Sequence, residues 1–184
     1  TRALEVQFRE NSPPDEVLDS DQFPVEMTLD LVDEGEYTIP EDRIEVEVKG
    51  LYSGDFKNLD SHDLEVDCCV TDLSGAQKDF AGNHIPGDID QVTIPESGTM
   101  SFENQIQGSL DIPLTAEICY PYETLVSAEF CLNEDFTRGN NPVCEASGSK
   151  SFFNSGGPVH VTSITQNIAG QDAILLTISV TMQG

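Results

Sequence analysis

The sequence predicts an all-β protein: an antiparallel, immunoglobulin-like β-sandwich, braced by disulfides, with long loops and a terminal strand available for exchange. Three observations predict it. Apolar residues recur with period 2 in one run after another, and no stretch sustains a 3.6-residue period. Clusters of Gly, Pro, Asn and Asp separate these runs. The chain carries five cysteines, none in C-x-x-C spacing, and only three histidines, which favours disulfides in an oxidising compartment over zinc.

The elements follow in order. Leu4, Val6 and Phe8 alternate with polar residues as a half-buried strand, which the Pro13-Pro14 pair ends. Phe23, Val25, Met27, Leu29 and Leu31 give the clearest two-residue period, and residues 33–36 turn the chain. Ile44, Val46 and Val48 form the next strand. Leu64, Val66, Cys68 and Val70 read as facing inward, with Cys69 outward. Residues 74–98 are loop-rich, with a short strand expected at 91–94. Strands then begin at Met100 and Ile112, the second reaching Tyr120 with Cys119 outward. Val126, Ala128, Phe130 and Leu132 read as inward, with Cys131 outward. After a loop over 133–158 come a strand at 159–164 and a last one in which Ile174, Leu176, Ile178, Val180 and Met182 share a face. No linker-like stretch divides the chain, so the expected plan is one sandwich over 1–169 and a C-terminal strand over 170–184.

The pleat suggests cysteine pairs. Cys69, Cys119 and Cys131 fall on the solvent side of their strands and Cys68 on the core side. This favours Cys131–Cys144, which closes a short loop worth about 3 kcal/mol in the chain-entropy view, and Cys69–Cys119, with Cys68 a buried free thiol. Five cysteines leave other pairings open, one between subunits included. A bond between the adjacent Cys68 and Cys69 is disfavoured as strained.

Charge limits the partners. With 34 acidic residues against 8 basic ones the net charge is −26 and the isoelectric point about 4.1. Phosphate backbones and anionic membranes are repelled, so nucleic acid is not an expected partner. The longest apolar run, over 173–180, is too short to span a bilayer, so no membrane insertion is expected. Such a surface suits high salt, where screening removes self-repulsion. More than half of the acidic residues precede position 71, whereas only Asp172 lies beyond 145. A neutral, apolar end on so acidic a chain suggests that something covers it.

The tract CYPYETLVSAEFCL over 119–132, Cys144, and PVHVTSI over 158–164 together resemble a pattern in immunoglobulin-like extracellular surface and filament proteins of small-genome or halophilic archaea. There a Cys-Tyr-x-Tyr-x-Thr segment is followed by a second Cys, a loop with a third, and a Pro-Val-x-Val-Thr strand. Leu4, Val6, Phe8, Pro13, Pro14, Phe23 and Gly50 extend the likeness to the front half. The resemblance implies a secreted or surface-anchored β-domain and brings no catalytic residues with it. In that pattern the last strand leads into a further domain; here the sequence stops at Gly184, which leaves the strand over 170–184 without a home.

Catalytic motifs are absent. Asp60-Ser-His-Asp63 places Ser, His and Asp side by side in one turn, whereas a triad converges from separate elements. No phosphate loop and no H-E-x-x-H occurs, and an enzyme is not expected. No cofactor is expected beyond calcium, the one plausible ligand. Its candidate residues are Asp15, Glu16, Asp19 and Asp21, whose spacing does not match an EF-hand loop.

An unprotected terminal strand with an apolar face is an exposed edge, which natural proteins cover or donate to a neighbour's sheet. Repeating one such contact head to tail builds an open filament. The expected function is therefore that of a structural subunit of an extracellular filament, pilus or surface layer. Its partners would be copies of itself and its location the cell surface or beyond. Ile174, Leu176, Ile178, Val180 and Met182 form the preferred assembly strand, and Leu4, Val6 and Phe8 the alternative one. A secreted adhesion or ligand-binding module is the competing expectation.

Overall fold

The computed structural model describes residues 3–19, 23–132 and 144–182. They form antiparallel sheets, and no α-helix occurs among them. Among the described residues no helix is long and apolar enough to cross a membrane. The contacts divide the chain into two compact units, Ala3–Tyr122 and residues 123–182. The expected plan is thereby redrawn. The boundary falls after Tyr122, and the terminal strand belongs with the residues just before it.

The first unit contains β1 (Leu4–Phe8), β2 (Met27–Asp33), β3 (Ile44–Lys49), β4 (Phe56–Lys57), β5 (Glu65–Cys68), β6 (Gln77–Lys78), β7 (His84–Ile85), β8 (Ile89–Ile94), β9 (Ser101–Phe102) and β10 (Thr115–Cys119). One sheet has the order β1-β2-β8 and another the order β10-β3-β5. The central strands supply the core. Met27, Leu29 and Leu31 of β2 and Ile44, Val46 and Val48 of β3 are buried together with Leu4, Val66, Val92 and Ile94. Period-2 alternation requires this, because every second side chain of a half-buried strand shares one face. Two short pairs, β4 with the sequence-distant β9 and the hairpin of β6 with β7, lie outside these sheets.

The second unit contains β11 (Val126–Ala128), β12 (Gly148–Ser149), β13 (Phe152–Asn154), β14 (Val159–Ile168) and β15 (Ile174–Met182). Its main sheet has the order β12-β14-β15, and β11 pairs with β13.

Three inward expectations fail where a strand stops early. Val70 is exposed because β5 ends at Cys68 and Cys69 turns the chain with a φ of 80°. β11 ends at Ala128, so its pleat does not carry to 132. Leu132 and Phe130 are exposed and Cys131 is buried, opposite to the expected phase, and within β11 itself Val126, also expected inward, is exposed.

Candidate functional site

β14 and β15 form the longest ladder in the molecule because both are rich in Ile, Val and Thr, which suit a pleated surface. Ile168 faces Ile174, Gln166 faces Leu176, Ile164 faces Ile178, Val161 faces Val180 and Val159 faces Met182. A bulge between Val161 and Ser163 breaks the register. It inserts one residue, so Val161 and Ile164, three apart, reach the same face.

The five residues of the preferred assembly strand share that face. Only Ile174 is partly covered. Leu176, Ile178, Val180 and Met182 are exposed, the last three to 51%, 61% and 77%. Leu175 on the opposite face is exposed too. β15 pairs with β14 on one side, and among the described residues its other edge pairs with nothing. A long, flat or apolar edge of this kind is a template for another strand.

Two side-chain amides hold the sheet behind this edge. Asn154 Nδ2 donates to the Val161 carbonyl and its Oδ1 accepts the Val161 N–H, both at 3.0 Å, beside the bulge. Gln166 does the same for Cys131. Its Nε2 donates to the Cys131 carbonyl at 2.6 Å and its Oε1 accepts the Cys131 N–H at 3.1 Å, with the glutamine fully buried. Each amide imitates one rung of a β-ladder where no strand is available.

The apolar face of the alternative strand, Leu4, Val6 and Phe8, is already covered, although among the described residues β1, like β15, has one edge that pairs with nothing. β1 pairs with β2, Leu4 is buried, and Val6 and Phe8 pack against the core.

The cysteine expectations divide. Cys131 is bonded to Cys144. Cys69 is bonded to its neighbour Cys68, so the expected Cys69–Cys119 bridge and the free Cys68 are corrected. The reason is the positive φ at Cys69, which ends the alternation and brings both sulfurs to one side, buried in the core. Cys119 is a free, exposed thiol on β10. Cys131 is buried and Cys144 exposed, so the bond runs from the interior of its unit to its surface.

Of the calcium candidates, Asp15 and Glu16 are exposed, and Asp19 Oδ2 accepts the Ile106 N–H at 3.0 Å. Asp21 lies outside the described residues. Among the described residues, only Cys68, Cys69 and Asp90 bring three potential ligand atoms within 4.8 Å of one another, and there the sulfurs are bonded to each other.

Carboxylates crowd the outer face of the β10-β3-β5 sheet. Glu47 lies opposite both Glu65 and Glu117, and Glu45 lies opposite Asp67. Lys49, paired with Glu47 and Glu117, is the counter-charge there. The Glu45 carboxyl is pushed up by a hydrogen bond to Glu65 and by the surrounding acids. In the interior, Asp33 is fully buried at the end of β2. Its Oδ1 accepts the Gly35 N–H at 2.8 Å, while Oδ2 has no partner. Burial, with a smaller contribution from Asp88, raises its pKa to about 6.

Two features escaped the sequence reading, an apolar cavity in the first unit and the exposed ring of Phe80 at the tip of the β6–β7 hairpin. The hairpin had a signal, since Asp79 and Asn83 around Gly82 is a tight-turn composition. The cavity had none, because its walls come from segments far apart in the chain.

No protein-family model, no curated protein and no solved structure matches this chain.

Proposed function

We propose that this chain is a structural subunit of an extracellular filament, pilus or surface layer, assembling with copies of itself by β-strand addition. One observation carries the reading: the unpaired edge of β15 bears an exposed apolar row over nine residues. A lone solvated module gains nothing from leaving that row uncovered, whereas an incoming strand would bury it and satisfy the edge. Two disulfides fit an oxidising, extracellular location. The two three-stranded sheets around one core in the first unit fit an immunoglobulin-like sandwich. The likeness to archaeal surface and filament proteins agrees with both, and the carboxylate-rich surface suits a saline medium. We assign the chain no catalytic role.

The experiment is electron microscopy and sedimentation of the concentrated full chain beside Ile178→Lys. That substitution puts a charge on the exposed row without entering the core. Filaments or large oligomers are expected for the parent and their loss for Ile178→Lys. A parent that stays monomeric, and saturably binds a cell-surface component, would instead support the adhesion module. Assembly that survives Ile178→Lys rules out the β15 edge.

A further inference from the structure

Phe80 is fully solvent-exposed, yet it does not stand on a loose loop. The Asp79 carboxylate accepts the N–H groups of Ala81 and Asn83 and the side-chain amide of Asn83, each at 2.8 Å. Backbone bonds from Asp79 N–H to the Asn83 carbonyl and from Gly82 N–H to the Asp79 carbonyl close the turn. Gly82 takes the positive φ of 86° that the turn requires. The ring is therefore presented in advance, with little ordering left to do on binding. Lys78, one of the chain's few cations, stands two residues away, exposed and without an ion pair among the described residues.

The hairpin is rooted at the Asp33 end of β2. Ala76 N–H bonds the Gly35 carbonyl there, and Asp33 N–H bonds the Asp88 carbonyl. Gly87 approaches so closely that a Cβ would lie 2.1 Å from the Asp33 carbonyl oxygen. The other end of β2 opens into an apolar cavity of about 180 Å³. Met27, Leu51, Phe56, Met100 and Phe102 are among its walls, the two phenylalanines meeting edge-on at 5.2 Å. Asp15 and Asp19 line it as well. Apolar cavities of this order accept a single aromatic ring. The root of the hairpin and the cavity lie at opposite ends of β2, about 20 Å apart at the usual rise per residue.

We infer that Phe80 of one copy seats in the apolar cavity at the other end of β2 in a second copy, with Lys78 facing Asp15 and Asp19, so that copies join head to tail. The fit is one of shape and charge together. An isolated exposed aromatic is ordinary, but this one is rigidly held, carries a cation beside it, and has a ring-sized cavity with acids on the same unit. Because donor and acceptor surfaces differ, the contact is heterologous and leaves both ends of every dimer open. It deepens the self-assembly reading by naming a second contact, and it rests on the partner being another copy, not on strand addition at β15.

The test uses the full chain in sedimentation at about 0.15 M and about 1 M salt. Phe80→Ser, a change at a fully exposed side chain that leaves the fold intact, is expected to weaken association at least about tenfold, as for a central aromatic anchor. Lys78→Glu and Asp15→Lys are each expected to weaken it about two- to fivefold at the lower salt. The two combined on one chain are expected to restore it. Fluorescently labelled Phe80→Ser should still be recruited by the parent, because its cavity is intact. Failure of recruitment would mean that Phe80 meets its own counterpart symmetrically, and overturns the inference. Unchanged association of Phe80→Ser overturns it too, and if Ile178→Lys then abolishes assembly, strand addition stands alone. The reverse pattern, loss with Phe80→Ser and none with Ile178→Lys, supports the knob and removes the β15 edge. A parent that is monomeric at every concentration overturns both.

Discussion

Gln166 holds Cys131 by both of its backbone groups, from a side chain with no exposed surface. The pair ties β14 to the segment that carries the Cys131–Cys144 bond. Gln166→Leu removes a donor and an acceptor at once and leaves the Cys131 backbone groups buried without partners. The expected cost is about 1–3 kcal/mol, read as a lower midpoint in denaturant unfolding. Gln166→Glu should cost at least as much, because a carboxylate cannot donate to the Cys131 carbonyl.

Asp33 gives a pH dependence of definite sign. Its pKa is raised from 3.8 to about 6 in the fold. The folded state therefore favours the neutral acid, and this contribution is fully present below pH 3.8, falls as pH rises, and is lost above about 6. Its size is about 1–3 kcal/mol. Asp33→Asn keeps an acceptor for Gly35 and removes the charge. It is expected to stabilise the protein near pH 7 and to remove this part of the pH dependence, so that the stability difference between parent and variant changes between pH 4 and 7. An unchanged difference between parent and variant across that range would contradict the assignment.

The acidic outer face of the β10-β3-β5 sheet predicts a salt response. Like charges directly across a ladder oppose pairing, and Glu45, Glu47, Glu65, Asp67 and Glu117 are placed that way. The melting temperature is expected to rise from about 0.05 M to about 1 M salt as screening shortens the range of repulsion. Each kcal/mol recovered is worth about 2–4 °C for a chain of this length. Glu47→Gln should raise the low-salt value and reduce the slope.

Cys119 predicts the thiol count. One thiol per native chain should react with a maleimide or an aromatic disulfide reagent, and Cys119→Ser should abolish the reaction with a stability change within about 0.5 kcal/mol. After reduction and denaturation all five cysteines should react. Any further thiol that reacts in the native chain would mean that one of the two disulfides is absent, and peptide mapping that joined Cys69 to Cys119 would exclude the Cys68–Cys69 bond.

Where a strand is long and half-buried, its alternation in the sequence predicts its faces. β2 and β3 are legible for that reason, since residue identity and burial share a two-residue period. Val70, Cys131 and Leu132 were misplaced because each lies beyond a strand end, where one turn resets the phase. The Cys68–Cys69 bond was hidden by the same turn, as a φ of 80° at a cysteine cannot be inferred from its neighbours. The role of β8 was underestimated: a segment read as a short strand in a loop proves to be the direct partner of β2. The apolar row of β15 was visible in the sequence. The cavity was not, because Pro13, Phe56, Met100 and Leu114 meet only in three dimensions.

The bulge between Val161 and Ser163 has a consequence for crowding. Bulges increase local twist, so the ladder is expected to coil most beside Val161 and Ser163, opposite Ser179 and Val180. Amyloid-like stacking needs flat, in-register layers repeated without limit. A neighbour bringing one strand of matching coil could lie along β15, whereas a flat pile of identical strands fits such a ladder less well. The same irregular residue that aligns the row thus limits how many layers it can accept.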